Sequence, residues 1–431
     1  MTPEREQNVA VGAEASVDGA AVRRAAIATF VIFATNGFIF ASWAARIPAV
    51  TQTLGLSTGE MGLVLLVGAV GSLCSMPLVG PISGRVGIVR TVRLGGLLAV
   101  VAGGLLAVGL LIVSVLLVAV GLAVFGVGIA LWDVGQNIEG ADVEHRLGRT
   151  IMPQFHAGFS GGAFLGAIVG AGLSAVGVPL PLHLAAIMAA VAVIMVLVPR
   201  HFLPLTAHAA GAAGAGAAGA GAVSADAAFA NAHDGASPAP AAKERGGARG
   251  AWTDPRTLLI GVVVLGATLT EGAGNDWIAK GSVDGLGTTQ AAGAALFALF
   301  VGAMTLARWF GGRVIDRLGR VVALRLSMVS ALVGLAVYSL AGSYWLAAVG
   351  ALLWGLGAAL AFPMGMSAAS DDPRHAAARV SVVATIGYIA FLAGPPFLGF
   401  LGDHVGLRTA LLAILVPIAV ALVLAGATRR R

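Results

Sequence analysis

Long apolar runs fill most of this chain, and short segments that carry most of the charged residues separate them. A helix needs about 20 apolar residues to cross the hydrocarbon of a bilayer, and twelve runs reach that length. The pattern therefore predicts an all-α membrane protein with twelve transmembrane helices. The predicted spans cover 25–47, 59–80, 91–110, 114–138, 151–175, 181–199, 256–279, 289–311, 321–341, 344–367, 378–402 and 407–427.

The second six predicted spans repeat features of the first six. Five glycines recur at one constant offset: Gly126, Gly128, Gly158, Gly170 and Gly177 correspond to Gly355, Gly357, Gly387, Gly399 and Gly406. An internal repeat of this length predicts two pseudo-symmetric six-helix bundles. In a membrane chain, two such halves indicate a transporter whose binding site lies between them.

The domain boundaries follow from the same pattern. We expect an N-terminal bundle over 25–200 and a C-terminal bundle over 255–428. The segment 201–254 is rich in Ala and Gly and cannot bury a core of its own, so it predicts a flexible linker. Short tails are expected over 1–24 and 429–431.

Composition and charge support a membrane protein. Hydrophobic residues make up 58% of the chain and charged residues 11%, outside the range of ordinary soluble domains. The formal net charge is +6, but the basic residues lie at span ends, which argues against a nucleic-acid partner. They gather at alternate span ends, which predicts that both termini are cytoplasmic. The single cysteine, Cys74, excludes an internal disulfide and a cysteine metal cluster.

The fourth span carries the clearest candidate for chemistry. A charged group at membrane depth costs about 2.5–3.5 kcal/mol on insertion scales, so it needs a reason to be there. Asp133 lies well inside the span, and Asn137 follows four residues later on the same helix face. A carboxyl at this depth can take up and release a proton as water access alternates. We predict proton coupling at Asp133, with a structural hydrogen bond between helices as the alternative.

The seventh span repeats this spacing with Glu271 and Asn275. Glu271 is deep enough to face a central cavity, where we expect a role in proton coupling or substrate binding. Asn275 shares its face and is a candidate substrate contact. Asp276 and Trp277 are expected nearer the outer surface, as a solvated acid and an aromatic anchor.

Two basic side chains are candidates with structural alternatives. His156, one turn into the fifth span, is either a structural histidine or a group that binds substrate or passes protons. Arg46, at the outer end of the first span, either reaches the membrane surface or holds an anionic group. Glu139, Asp142 and Glu144 are expected to form a plain charged helix end.

Small residues predict how some spans pack. Gly158, Gly162, Gly166 and Gly170 form one stripe along the fifth span, which favours a tight helix crossing. Gly394-Pro395-Pro396 is expected to bend or loosen the eleventh span.

One loop connects these features with a known family. Gly312-Arg313-Val314-Ile315-Asp316-Arg317-Leu318-Gly319-Arg320 resembles the Gly-x-x-x-Asp-Arg-x-Gly-Arg loop of the major facilitator superfamily. The first-half copy over 80–87 has Gly84 in place of the Asp. The resemblance implies the major facilitator fold, alternating access, a monomer, and a charge latch on the cytoplasmic side. The implied latch residues are Arg85, Asp316, Arg317 and Arg320.

Within the superfamily, the chain resembles the fucose/proton symporter branch and its uncharacterised bacterial inner-membrane relatives. The resemblance lies in 132–137, 156–162 and 271–277, and it implies Asp133, helped by Glu271, as the proton site. The candidate substrate contacts are Asn137, His156, Asn275 and Arg46. The symporter has a second essential acid in its first span, whereas 37–48 here contains no carboxylate, so fucose itself is not the expected substrate.

Together these observations predict proton-coupled transport of a small polar solute such as a sugar, in a lipid bilayer and without a cofactor. Drug/proton efflux is the nearest alternative, although the Gly-Pro pair typical of such antiporters in span five stands in span eleven here. A membrane sensor without transport is a weaker alternative. The sequence has no Ser/His/Asp arrangement, phosphate loop or metal-ligand cluster, so we do not expect an enzyme or a metal site.

Overall fold

The computed structural model describes residues 19–149, 151–204, 247–372 and 375–429. Within these ranges, twelve helices are long and apolar enough to cross a membrane, which confirms the predicted fold class. In chain order, α1 to α12 cover Gly19–Ala44, Thr58–Val86, Ile88–Leu111, Val115–Leu147, Met152–Ala175, Leu180–His201, Pro255–Leu286, Gln290–Leu318, Arg320–Leu340, Tyr344–Ala369, Ala378–Val405 and Leu407–Thr428.

Some spans are built from more than one piece, and shorter helices lie between others. Helix α10 is interrupted at Ala359 and Leu360. The helix that contains α11 begins two residues earlier, at Ala376. The other pieces are Ile47–Leu54, Leu180–Leu197, Pro199–His201, Gly247–Thr253, Tyr344–Ala358, Ala361–Ala369, Leu407–Leu411, Leu412–Ile414, Leu415–Leu424 and Ala425–Thr428.

Several helices extend beyond the predicted apolar runs. Helix α2 continues to Val86 and α8 to Leu318, because hydrogen bonding along a helix does not stop where the side chains become polar. Gly87 and Gly319, with φ of 85° and 78°, end the two helices, and this backbone conformation favours glycine. The predicted tail and linker fall largely outside the described residues. Their described parts include helical turns at 19–24 and 247–253.

The repeated glycines make equivalent contacts in the two halves. A Cβ atom on Gly126 would collide with the backbone of α2, and one on Gly355 would collide with the backbone of α8. Gly128 and Gly357 stand in the same way against α3 and α9. The sequence repeat therefore corresponds to a repeated packing geometry, in which the fourth helix of each half lies close to the second and third.

The glycine stripe of α5 packs against α1. A Cβ atom on Gly162 would collide with the Ala34 carbonyl, and one on Gly166 would collide with the Phe38 carbonyl. Small residues at this spacing let two backbones approach closely. The predicted tight helix crossing is thus confirmed.

Along the boundary between the halves, α5 faces α8. The Thr305 hydroxyl donates to the Ser160 carbonyl across this boundary at 3.2 Å. One turn away on each helix, the Phe164 ring lies against Gly302. The two antiparallel helices thus share a fixed register near the middle of the molecule.

The halves also meet at the face opposite to the described chain ends, which we call the opposite face. The Asp403 carboxylate, near the end of α11, accepts hydrogen bonds from the Ser57 hydroxyl at 2.9 Å and from the N–H groups of Thr58 at 2.8 Å and Gly59 at 2.9 Å. The first N–H groups of a helix lack partners within it, and its N-terminus favours negative charge. Asp403 therefore caps α2 from the other half.

Close packing also brings α11 against α2 deeper in the molecule. Helix α11 continues through Pro395 and Pro396, and Gly62 of α2 leaves room for both prolines. A Cβ atom on Gly62 would lie 2.6 Å from the Pro395 carbonyl oxygen and 2.9 Å from the Pro396 Cα. The predicted bend of this helix stays a prediction.

We predict that Gly162→Ala destabilises the fold. The added methyl group must push α5 away from the α1 backbone, and overpacking of this kind costs about 1–3 kcal/mol. The midpoint of thermal unfolding of the purified protein in detergent should fall. Gly161→Ala is the matched control, because a Cβ atom at Gly161 meets nothing within 4 Å. Equal midpoints for the two variants would contradict the packing argument.

We further predict that Asp403→Ala separates the halves at the opposite face, because the start of α2 loses its cap. Spin labels are attached at the exposed positions Thr53 and Val405 in a Cys74→Ser background. Double electron–electron resonance then measures the distance between the two labels. The variant should shift the distribution to longer distances. Glu60→Ala is the control, since the Glu60 carboxylate binds the Ser57 N–H within the first half at 2.7 Å. An unchanged distribution in Asp403→Ala would refute the prediction.

Candidate functional site

Asp133 lies near the middle of α4 and is half-buried. The Gln136 amide donates to its Oδ1 at 2.9 Å, and the Asn137 amide donates to its backbone carbonyl at 2.8 Å. In the described part of the chain, no basic side chain forms a salt bridge with this carboxylate. Gln136 Oε1 and Asn137 Oδ1 are buried acceptors without a hydrogen-bond partner in the described residues. One acid and two buried, unpartnered amide oxygens thus lie within one turn of α4.

Asp133 lies close enough to the second half to interact with one of its side chains. Tyr388 of α11 interacts electrostatically with it across the boundary. The Tyr388 hydroxyl is buried and has no hydrogen-bond partner among the described residues. A buried phenol of the second half therefore lies within electrostatic range of the Asp133 carboxylate.

The second half contributes an ion pair. Glu271 Oε1 of α7 lies 2.9 Å from Nη2 of Arg308 in α8, with the side chains 12% and 5% exposed. Arg308 also donates from Nε to the Ala359 carbonyl at 3.3 Å. Ala359 lies where α10 is interrupted, and such a break leaves carbonyl groups without helical partners. Arg308 therefore joins three helices of the second half.

His156 is brought next to this pair from the first half. It is buried on α5 at 1% exposure, edge-on to the Phe33 ring at a centroid distance of 5.0 Å. It interacts electrostatically with Arg308. The Thr305–Ser160 hydrogen bond sets this register. Arg308 follows Thr305 by about one turn and His156 precedes Ser160 by about one turn, so in these antiparallel helices both lie on the same side of the bond.

The remaining candidates of the seventh span lie deeper than expected. Asn275 is 8% exposed, one turn beyond Glu271, and its amide makes no hydrogen bond to another described residue. Asp276 is half-buried rather than a solvated acid at the surface. Trp277 is completely buried, so the expectation of an aromatic surface anchor is wrong. Gly274 lets the Phe300 ring pack directly against α7 in this region, because a Cβ atom there would collide with the ring.

Arg46 lies away from the central groups. It is 4% exposed, and its Nη2 donates to the Val178 carbonyl, in the turn between α5 and α6, at 3.1 Å. The structure places it at the opposite face of the first half. It is therefore not brought together with Asp133, Asn137 or His156.

The latch candidates lie at the chain-end face. Arg320 donates from Nη1 to both oxygens of Asp371, at 2.9 and 3.0 Å, and from Nη2 to the Ser367 hydroxyl at 2.9 Å. Arg256 pairs with the same Asp371 at 2.9 Å. These contacts tie α7, α9 and α10 together within the second half. The other three latch candidates are exposed on the last turns of their helices: Arg85 on α2 and Asp316 and Arg317 on α8.

The acids at the end of α4 have structural partners. Glu139 accepts from the Leu203 N–H at 2.8 Å. Asp142 pairs with Arg146 at 3.0 Å. Glu144 accepts two N–H groups at the start of α5, each at 2.7 Å. Among the described residues, no group of three or more His, Cys, Asp or Glu side chains is placed to hold a metal ion.

Sequence reasoning missed Arg308, Tyr388 and Gln136. Arg308 lies inside the predicted eighth span, and the cost of a charge at membrane depth was the signal that could have found it. Tyr388 and Gln136 are uncharged and carry no such signal. Their importance comes from the residues that they face.

Comparison with known proteins gives the family. The Major Facilitator Superfamily model matches residues 2–143 and 155–395. An uncharacterised transporter of Sinorhizobium fredii is 28% identical over 400 residues, which cover 90% of this chain and 96% of the relative. An uncharacterised MFS-type transporter of Yersinia pestis is 29% identical over 391 residues, covering 89% and 90%.

Solved structures share the fold. A bacterial homologue of the human lysosomal transporter Spinster, in an inward-facing conformation, matches with a TM-score of 0.68 at 12% identity, covering 96% of this chain and 98% of that one. The fucose:proton symporter FucP, in the outward conformation, matches with a TM-score of 0.59 at 15% identity, covering 94% and 100%. Both the family match and the twelve-span fold agree: the chain belongs to the Major Facilitator Superfamily and is a multi-pass membrane transporter.

Proposed function

We propose that this transporter couples the movement of a small polar solute to protons, with Asp133 as the coupling acid. The observation that carries the proposal is the position of Asp133: near the middle of a membrane span, half-buried, without a salt bridge in the described chain, and within electrostatic range of Tyr388 of the other half. An ionised carboxylate at this depth costs about 2.5–3.5 kcal/mol, and protonation removes the charge. Protonation therefore changes the free energy of any arrangement that keeps Asp133 from water.

Alternating access turns this dependence into coupling. If one arrangement of the halves exposes Asp133 to water and the other buries it, the proton favours the buried arrangement. A solute that binds between the halves favours the same closed state through its own contacts. The two binding events are then linked through a shared equilibrium, and linkage is reciprocal.

The surrounding groups suit a polar solute. Gln136 and Asn137 offer buried acceptor oxygens without partners in the described chain, and the Tyr388 hydroxyl offers a donor. Asn275 provides a further amide on the second half. Groups of this kind bind hydroxyl and amide functions in orientation-dependent ways. Drug efflux is less well supported, since an apolar drug would leave these groups unpaired.

The arginine distribution supports an orientation in which the chain-end face is cytoplasmic. Both termini then lie in the cytoplasm, and the bacterial relatives favour the plasma membrane as the location. The opposite face, where Asp403 caps α2, is the outer side. The latch proposed from the motif, formed by Arg85, Asp316, Arg317 and Arg320, belongs to the cytoplasmic side.

We predict that Asp133→Asn uncouples transport. A thermal-shift screen of purified protein against sugars, sugar acids and drugs first supplies a ligand, because a bound ligand raises the unfolding temperature. In proteoliposomes, accumulation of that ligand under a proton gradient should fall at least about tenfold, because an amide cannot carry a proton. Exchange of labelled for unlabelled ligand should continue, since exchange needs no net proton movement.

Asp284→Asn provides the matched control. Asp284 pairs with Lys280 at 2.7 Å near the opposite face, away from the central groups, so this variant should accumulate ligand like the wild type. Undiminished proton-driven accumulation in Asp133→Asn would refute the assignment. A panel in which drugs shift the melting temperature and sugars and sugar acids do not would favour efflux instead.

A further inference from the structure

The coupling proposed at Asp133 does not use the Glu271–Arg308 pair, although the sequence predicts a role for Glu271 in proton coupling or substrate binding. Its charges are held 2.9 Å apart at low exposure. Burying two charges costs solvation energy that their attraction only partly returns, and apolar side chains would pack there at no such cost. The chain nevertheless keeps the pair at membrane depth. A function in ligand binding would explain why this ion pair is present at membrane depth.

The location of Arg308 favours such a function. The guanidinium stands beside the α5–α8 contact, where the Thr305–Ser160 hydrogen bond joins the halves. His156 is the titratable group that reaches Arg308 from the first half, and α10 contributes the Ala359 carbonyl. A group bound to Arg308 therefore lies near residues of both halves. Alternating access requires this of a substrate, because its binding must affect how the halves are arranged.

The chemistry of Arg308 selects the ligand. A guanidinium presents several N–H donors in a planar fork that matches a carboxylate. In the present structure Glu271 is the carboxylate that occupies it. A second carboxylate can take that place only when Glu271 is neutral, because two negative charges on one buried cation repel each other. A proton on Glu271 satisfies this condition.

We propose that Arg308 binds a carboxylate group of the transported solute, and that Glu271 releases Arg308 when it takes up a proton. The solute is then a small organic acid, such as a sugar acid. One proton on Glu271 and one solute carboxylate on Arg308 enter together, in addition to the proton on Asp133, and the Glu271–Arg308 pair forms again when they leave. The proposal rests on the proposed proton-coupled transport, and it adds the charge of the substrate.

The test uses the full chain in proteoliposomes under a proton gradient of either polarity. The probe is a yeast-extract mixture of small carboxylates, neutral sugars, nucleosides and amines. Mass spectrometry compares the solutes accumulated by wild-type vesicles with those of Asp133→Asn vesicles. Asp133-dependent accumulation of carboxylates is the expected result. Accumulation of neutral or cationic solutes without carboxylates would overturn this inference and leave the proposed function standing, whereas no accumulation would overturn both.

Variants then test the pair with the carboxylate that accumulates. Arg308→Gln should lower its uptake at least about tenfold, because the charge-assisted hydrogen bonds are lost. Arg313→Gln is the control on the same helix; Arg313 is exposed and lies over the Phe310 ring at 5.6 Å. Arg308→Gln protein with wild-type uptake would refute the role of the guanidinium.

Glu271→Gln keeps the test decisive if Arg308→Gln does not fold. A glutamine is permanently neutral, as the protonated acid is, so Arg308 stays available to the solute. Exchange of the carboxylate should remain within about twofold of wild type, because exchange needs binding but no proton release. Accumulation driven by the proton gradient should fall well below that of the wild type, because only the proton on Asp133 is still coupled to the solute. A variant that loses exchange and accumulation equally would show that Glu271 is needed for structure alone, and would contradict the proposal.

Discussion

The interior of a bilayer offers no water to polar groups, and this constraint shapes the whole molecule. Backbone N–H and C=O groups must pair within each helix, so twelve spans are helical. Side-chain charges must pair, be neutralised or face a cleft that water can reach. Glu271 and Arg308 pair with each other. Asp133 has no such partner in the described chain, so it must be neutralised or reached by water.

The same constraint explains how the halves can move. Hydrophobic burial does little to hold two helices together in lipid, so close packing of small residues does most of that work. Gly162 holds α5 against α1 within the first half, while α5 meets α8 of the second half through Thr305 and Ser160. Backbones interlock within a half and also where Gly62 of α2 meets the two prolines of α11. The polar contacts described between the halves are few and specific. The hydrogen bonds of a cap such as Asp403 on α2 can therefore break while the packing inside each half is kept.

The sequence predicted what each span shows locally and missed what depends on its neighbours. The recurrence of Gly126 as Gly355 predicted equivalent helix packing, because a backbone contact requires glycine wherever it occurs. Asp133 was found because a charge in an apolar run is conspicuous on its own. Asp403 follows the predicted eleventh span and is typical of a solvated helix end. Nothing in the chain order shows that α2 begins beside it.

The two halves pack their helices in equivalent ways but supply different charged groups to the central region. The fourth helix of the first half supplies Asp133, whereas the second half supplies a pair that is neutral overall. A proton has opposite effects at the two places: it removes an unpaired charge at Asp133, and it leaves an unpaired cation, Arg308, when it neutralises Glu271. A solute with a carboxylate restores neutrality at the second place. The central acids, Arg308 and the solute together carry no net charge when Asp133 and Glu271 are both protonated and a solute carboxylate lies on Arg308, and a low-dielectric enclosure can close around such a neutral set.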